Sequence, residues 1–381
     1  MFGLTPLRRT FDAALRDLRS PRAEVRASAA HDLGLVGDED PRRAADAVAP
    51  LADDDSSDVR GAALTALGVL RARQHVERIA ARLEDGDSTV RQLAAMALAE
   101  VGGERALAAL RSAATSPRAD VRFQGLLGVL ALDAGAGFPL ALDALAGSDA
   151  WIASEAAEQL GRLFAADPEA RTENALGEAE RARALEGLRA HLDDADARVA
   201  VAAAMALLRA GDEAGGPRVC AFVRTVGTVA GRELRDLAVD AIELLGGVSG
   251  EARERAREAL TAVAWRVVPT PERAAARAAL ARMGDPRATE EIVLQLRSLL
   301  PGRREAAVRM ARLARLGAAE GALLGLLEGG GADEALVIDA LGALGGERSR
   351  QALDRLARAD GRAELRDAAR RALASIEERT P

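Results

Sequence analysis

The sequence predicts an all-α fold built by repeating one helix pair, and three observations predict it. An apolar anchor, usually the valine of a Val-Arg pair, is followed at offsets 4, 8 and 11 by a small residue and then two apolar ones. These anchors return every 28 to 47 residues, the length of a two-helix unit. No segment sustains the two-residue alternation of a strand, and aromatic residues make up only 2% of the chain, with no tyrosine. A core without large rings must be closed by Ala, Leu and Val, which suits closely packed helices.

The elements follow in order. Leu7, Phe11, Leu15 and Leu18 form one stripe, predicting an N-terminal capping helix opened by Thr5 and Pro6. The anchors are then Val25, Val59, Val90, Val121, Ile152, Val199 and Leu234, followed more loosely by Glu272, Glu305, Asp333 and Leu365. Val25 leads to Ala29, Leu33 and Val36, and Val90 leads to Ala94, Leu98 and Val101. At 3.6 residues per turn these offsets share one face, so each copy opens with an amphipathic helix whose small residue lets a neighbour approach. Gly37, Gly102, Gly211, Gly246 and Gly284 stand where that helix should end in a left-handed conformation. A second apolar helix follows, as in residues 73–83. Some second helices carry a start signal, a capping aspartate before a proline, at Asp40-Pro41 and Asp285-Pro286. Two registers compete near residue 305, because Val308-Arg309 is itself a Val-Arg pair. One cap, ten pairs and one closing helix give about 22 helices. The expected organisation is a single solenoid over residues 1–381: a cap at 1–20, regular repeats at 21–164, an insertion at 165–184, divergent repeats at 185–358 and a closing helix at 359–381.

The stretch DGDSTVRQLAAMALAEVGGERALAALRSA, beginning at Asp85, resembles a HEAT repeat of the short type seen in phycobilin lyases. The resemblance covers nearly the whole chain and is most specific in the first four repeats. It implies a right-handed superhelical α-solenoid of about ten to eleven HEAT-like helix pairs, with first helices outside and second helices lining a concave face. It also implies hydrogen-bonded ladders between repeats, made by the Asp and Arg of the first-helix motif. Arg26, Arg60, Arg91, Arg122, Arg235, Arg273 and Arg366 hold the arginine place, whereas Ala153, Ala200, Ala306 and Glu334 depart from it and break the ladder mid-chain. One helix pair cannot bury its stripe alone, so stacking requires the same spacing in every copy and makes Val-Arg a structural device.

Charge and chemistry narrow the function. A net charge of −7 disfavours a nucleic-acid binder, which needs excess positive charge against phosphates. Cys220 is the single cysteine, which excludes an intrachain disulfide and most thiolate metal sites. The start MFGLTPLRR lacks the apolar stretch of a signal peptide, and no apolar run approaches a bilayer span. A cytoplasmic protein is expected, and basic residues that are all arginine suggest a GC-rich bacterial genome. His31, His75 and His191 do not pair at helical spacing, and no metalloprotease, Walker or nucleophile-elbow motif occurs. No catalytic, cofactor or metal site is therefore expected. Carboxylate runs such as Asp53-Asp54-Asp55 and Asp193-Asp194 suit helix N-termini. Gly329-Gly330-Gly331 suits a turn, Cys220 a small buried residue, and Trp151 and Trp265 packing between repeats.

These features predict a non-enzymatic protein-interaction scaffold or adaptor that binds along its concave face. The alternatives are a phycobilin-lyase-like enzyme or enzyme subunit and, further off, a HEAT-like DNA glycosylase. With each second helix turned stripe-inward, the opposite side carries Arg42, Gln74, Arg78, Arg82, Arg111, Arg183 and Arg224, then Leu294 and Leu324. Asp46, Glu104 and Asp143 are the acids on the same line before residue 250. That strip predicts a protein partner engaged through an acidic segment, with neither nucleic acid nor membrane involved. The insertion is either functional or a tolerated loop. The basic run at 303–315 is either a patch for an acidic partner or a solvated helix face.

Overall fold

The computed structural model describes residues 10–36, 40–165, 177–229, 231–329, 333–358 and 362–377. Among these there are 22 α-helices and no strand. Helix α1 (Phe11–Asp17) is followed by pairs: α2 (Ala23–Val36) with α3 (Pro41–Val48), α4 (Ser57–Val69) with α5 (Val76–Ala81), α6 (Ser88–Val101) with α7 (Glu104–Ala113), α8 (Ala119–Leu132) with α9 (Ala134–Leu145), and α10 (Ala150–Ala165) with α11 (Glu178–Ala190). Five more pairs follow: α12 (Ala197–Arg209) with α13 (Gly216–Thr225), α14 (Ala238–Leu245) with α15 (Ala252–Ala264), α16 (Pro271–Arg282) with α17 (Pro286–Leu296), α18 (Pro301–Ala314) with α19 (Glu320–Gly329), and α20 (Glu334–Leu344) with α21 (Glu347–Arg358). Helix α22 (Ala363–Glu377) closes the chain, which gives the cap, ten pairs and closing helix that the repeat spacing predicts.

The chain divides into two compact units, Met1–Leu188 and Arg189–Pro381. In the first unit, helices α2, α4, α6 and α8 stack side by side over a core running from Phe11 to Val129. In the second, α14, α16, α18, α20 and α22 do the same over a core running from Val201 to Ile376. The small residues at offset 4 are all buried, from Ala29 to Ala369. Gly125 shows why: a Cβ built there would meet the Ala114 backbone nitrogen of the α7 terminus at 2.2 Å.

Local signals act as expected at most helix ends. Asp40 and Asp285 accept from the amides of Arg43 and Ala288 at 3.1 and 2.9 Å, ahead of Pro41 and Pro286. Gly102, Gly211 and Gly284 have φ of 67°, 79° and 80°. Gly246 differs, with φ −63°; it is needed for space, because a Cβ there would meet that of Ala279 at 2.8 Å. Helix α1 is capped by the Thr10 hydroxyl, while Thr5 and Pro6 lie outside the described residues, as does Gly37. Of the expected insertion, residues 178–184 form the opening turns of α11, and 166–176 lie outside the described residues.

Helix α18 differs from both expected registers. Its start is set by Pro301 at the first helical position, where proline's missing N–H has no intrahelical bond to lose and its fixed φ suits a helix. Arg304 thereby becomes its fourth residue, matching Arg60, Arg91 and Arg122 in their helices, and it donates to the Ser298 carbonyl at 3.0 Å. Ala307, Ala311 and Ala314 occupy the buried stripe, and Leu313, expected inside as the eighth residue after Glu305, is 38% exposed.

Candidate protein-interaction surfaces

The Val-Arg pairs bind the stack together. The Nη1 of Arg26, Arg60, Arg91 and Arg122 each donates to the carbonyls six and five residues upstream, in the turn before its own helix. Arg26 also forks onto Asp54 of the next turn, with Nε and Nη2 both at 2.8 Å, and Arg60 forks onto Asp85 at 3.0 and 2.8 Å. Arg26 holds the Asp54 carboxyl below the usual carboxylate range. Burial pushes Asp85 up, but Arg60 and the Asp87 amide outweigh it, so its pKa is lowered as well. In the next turn Ser116 replaces the aspartate, and Arg91 reaches Asp120 instead. Gly147 stands there one repeat later, and Arg122 keeps only its carbonyls among the described residues. In the second unit Arg198 takes up the role left by Ala200, forking onto Asp236 at 2.7 and 2.9 Å, and Arg235 meets the buried Glu272 at 2.9 Å. Arg273 donates to the Val267 carbonyl at 2.8 Å. The upstream positions of Arg366 lie outside the described residues.

The expected strip of second-helix residues is only partly free. Arg42, Gln74, Arg78, Arg111 and Arg183 are exposed in the first unit, and Arg82 is half-buried. Arg78 and Arg82 share Asp53 at 3.5 and 3.6 Å, and Arg82 also meets Asp85 at 3.5 Å. Gln74 and His75 both approach Asp46, at 3.4 and 2.8 Å. The strip is therefore less basic than its sequence line suggests, because Asp53, at the end of the 3-10 helix that prolongs α3, and Asp85, in the turn after α5, close onto it. In the second unit Arg224 pairs with Glu258 at 3.3 Å, Leu294 is 68% exposed, and Leu324 packs half-buried against the core.

The reactive side chains have local explanations. His31 lies exposed on α2. His191 Nδ1 meets Asp194 at 2.9 Å, and Asp194 caps the turn by accepting from the Asp196 amide at 2.8 Å. Cys220 is buried, and burial pushes its thiol pKa up. Trp151 packs edge-on against Phe123 of α8, with ring centroids 4.4 Å apart. Trp265 lies under the guanidinium groups of Arg277 and Arg287 from the following repeat. Among the described residues no group of three His, Cys, Asp or Glu could hold a metal ion, and no helix is long and apolar enough to cross a membrane.

A cleft of about 870 Å3 in the second unit was not anticipated from the sequence. It lies between α16, α17 and α18, with walls that include Ala274, Ala306, Met310 and Leu313. At its floor Arg277, 7% exposed, donates to the Ala264 carbonyl at 2.9 Å and to Glu291 at 3.2 Å, and Gln295 donates to the same carboxylate at 2.6 Å. Burial lowers the Arg277 pKa from its usual value. Val267 and Val268 before α16, and Leu299 and Leu300 before α18, are 92%, 66%, 92% and 55% exposed. The signal in the sequence is a pair of large apolar residues in a turn whose counterparts in the first unit are Asp54-Asp55 and Asp85-Gly86.

Residues 44–130 match the family described as HEAT repeats. No curated protein matches the chain. Among solved structures the chain is similar to Kap95 in the Kap95:Nup1 complex, at 12% identity over 96% of this chain and 56% of that one, with a TM-score of 0.58. It is also similar to yeast importin-beta (Kap95p), at 13% identity over 96% and 56% of the two chains, with a TM-score of 0.48. A third similarity is to the complex of CpcE and CpcF of phycocyanin lyase from Nostoc sp. PCC7120, at 19% identity over 82% and 97%, with a TM-score of 0.34. At these identities the likeness to Kap95 establishes the fold, a HEAT-type solenoid, and nothing finer.

Proposed function

We propose that this HEAT-repeat chain is a non-enzymatic scaffold that holds a protein partner. The observation that carries the reading is an open cleft lined by the exposed Val267 and Leu313, with further large apolar side chains exposed in the turns before α16 and α18, on a protein whose repeats are already bound together internally. Exposed apolar groups gathered in one place mark an interaction surface, whereas scattered ones do not. His31, His75, His191 and Cys220 are separately engaged or separately placed, so among the described residues they do not converge as nucleophile, base and orienting group. A stacked-repeat fold presents extended surfaces suited to protein partners, and the solved Kap95 structure of similar fold is itself a complex with Nup1.

The test is chemical crosslinking of the purified chain in a lysate of its source organism, followed by reconstitution with the captured protein made separately. The expected result is a stable complex of the two purified proteins. Failure of any captured protein to bind when purified, or turnover of a small-molecule substrate by the chain alone, would overturn the reading.

A further inference from the structure

The turns that precede first helices sit next to one another in consecutive repeats. The first unit demonstrates this directly, since Arg26 touches its own turn at Ser20 and Pro21 and the next turn at Asp54. In that unit the positions six and five residues before the ladder arginine are Ser20-Pro21, Asp54-Asp55, Asp85-Gly86 and Ser116-Pro117. All are turn-forming residues, and Asp54 and Asp85 are engaged by the ladder arginines within the stack. The same positions before Arg273 hold Val267-Val268, and those before Arg304 hold Ser298-Leu299, with Leu300 following. Val229, 81% exposed, stands six residues before Arg235. The backbone role is kept, because the Val267 and Ser298 carbonyls still receive Arg273 and Arg304 at 2.8 and 3.0 Å. The side chains therefore have no task inside the fold, and their exposure is unfavourable in an isolated chain.

Charge selects the occupant. Val267 borders the same cleft as Arg273, Arg277, Arg303 and Arg309, against which Glu291 is the one lining carboxylate among the described residues. Arg277 is committed to Glu291, and Arg309 meets Glu305 loosely at 3.7 Å, while Arg303 has no acidic partner among the described residues. Residues 251–381 carry 23 arginines and 20 acids within a chain of net charge −7, so this region is basic where the remainder is acidic. A cleft with apolar walls and unbalanced guanidinium groups complements apolar side chains flanked by carboxylates. Exposed apolar residues stand in both turns that lead into the helices of the cleft, Val267 and Val268 before α16 and Leu299 and Leu300 before α18. We propose that the cleft between α16 and α18, together with the exposed Val267, Val268, Leu299 and Leu300 of the turns that precede these helices, docks an acidic, leucine-rich segment of a partner protein. This rests on the scaffold reading and names the surface and the chemistry of its partner.

The experiment titrates the intact chain with three labelled synthetic peptides of equal length, built from Leu and Glu, from Ser and Glu, and from Leu and Arg, and follows anisotropy. The Leu/Glu peptide is expected to bind saturably, at least about tenfold more tightly than either of the others. Two double variants follow, both at exposed positions and checked by thermal melts. Val267→Asp with Leu299→Asp should weaken binding at all salt concentrations. Arg303→Glu with Arg309→Glu should weaken it most at low salt and flatten its salt dependence. Equal binding of Leu/Glu and Ser/Glu peptides, or unchanged binding by either folded variant, overturns the proposal. Sedimentation of the same proteins tests a second copy as occupant: a wild-type oligomer that the Val267/Leu299 variant dissolves overturns the assignment to a different protein. A captured partner that binds the same variant undiminished overturns this docking site and leaves the scaffold reading standing.

Discussion

Arg60 uses all three guanidinium nitrogens inside the stack, Nε and Nη2 on Asp85 and Nη1 on the carbonyls of Asp54 and Asp55. Truncation to alanine would leave the buried Asp85 carboxylate without its fork and two carbonyls without a donor. Arg60→Ala is expected to destabilise the protein by about 3 kcal/mol in urea melts, far more than an exposed ion pair would. The aspartates add a pH dependence with a definite sign. The folded-state pKa values of Asp54 and Asp85 are lowered, so their contribution is complete above the unfolded carboxylate value of about 3.9 and disappears as pH falls through the lower folded values. Stability should therefore drop as pH is taken below about 4, and Asp85→Asn should start less stable at neutral pH and show a shallower acid decline. Leu98, fully buried on the α6 stripe between Val90 and Val101, should cost on the order of 2–5 kcal/mol when changed to alanine, read by the same melts.

Single helices show how far the sequence determines the structure. The stripe of α6 was legible because Val90, Ala94, Leu98 and Val101 all fall on one face and are all buried. The α18 register was not, because Glu305, Val308 and Leu313 imitate the motif while the true positions hold Arg303, Ala307, Ala311 and Ala314. Hydrophobicity alone favours Leu313 over Ala311; the helix start at Pro301 and the carbonyl-bound Arg304 decide the matter through the backbone. The two side chains should respond oppositely to substitution. Val308→Ala removes a fully buried side chain and is expected to cost about 2 kcal/mol, whereas Leu313→Ser should stay within about 0.5 kcal/mol. A larger loss at position 313 than at 308 would restore the Glu305 register. Gly125→Ala tests close approach in the same way: the added methyl has only the α7 backbone to push against, so a marked loss of stability is expected despite a better helix-forming residue.

At the scale of the molecule, the candidate surfaces separate by what surrounds their charges. The arginines of the second-helix strip were chosen from sequence because the line they share carries few acids. Asp53 reaches that line from the end of the preceding repeat's second helix, about 25 residues away in the chain from Arg78, and Asp85 from the turn three residues after Arg82. The cleft of the second unit has the opposite history: its apolar rim lies in turns, where periodicity carries no information, and only comparison of the same turn across repeats exposes it. The two surfaces predict different salt responses. Changing Arg78, Arg82 and Arg111 to Glu leaves Asp53 and Asp85 beside new carboxylates, so its main effect should be lower thermal stability. Binding of an acidic, apolar peptide should survive that change. Arg303 and Arg309 stand on a rim without an equal supply of acids, so their change to Glu should leave the melting temperature within a few degrees. The same change should abolish the gain in binding on lowering salt. If the triple variant loses the peptide and the double variant keeps it, the second-helix strip is the binding face, and an acidic segment reaches it by displacing Asp53 from Arg78 and Arg82.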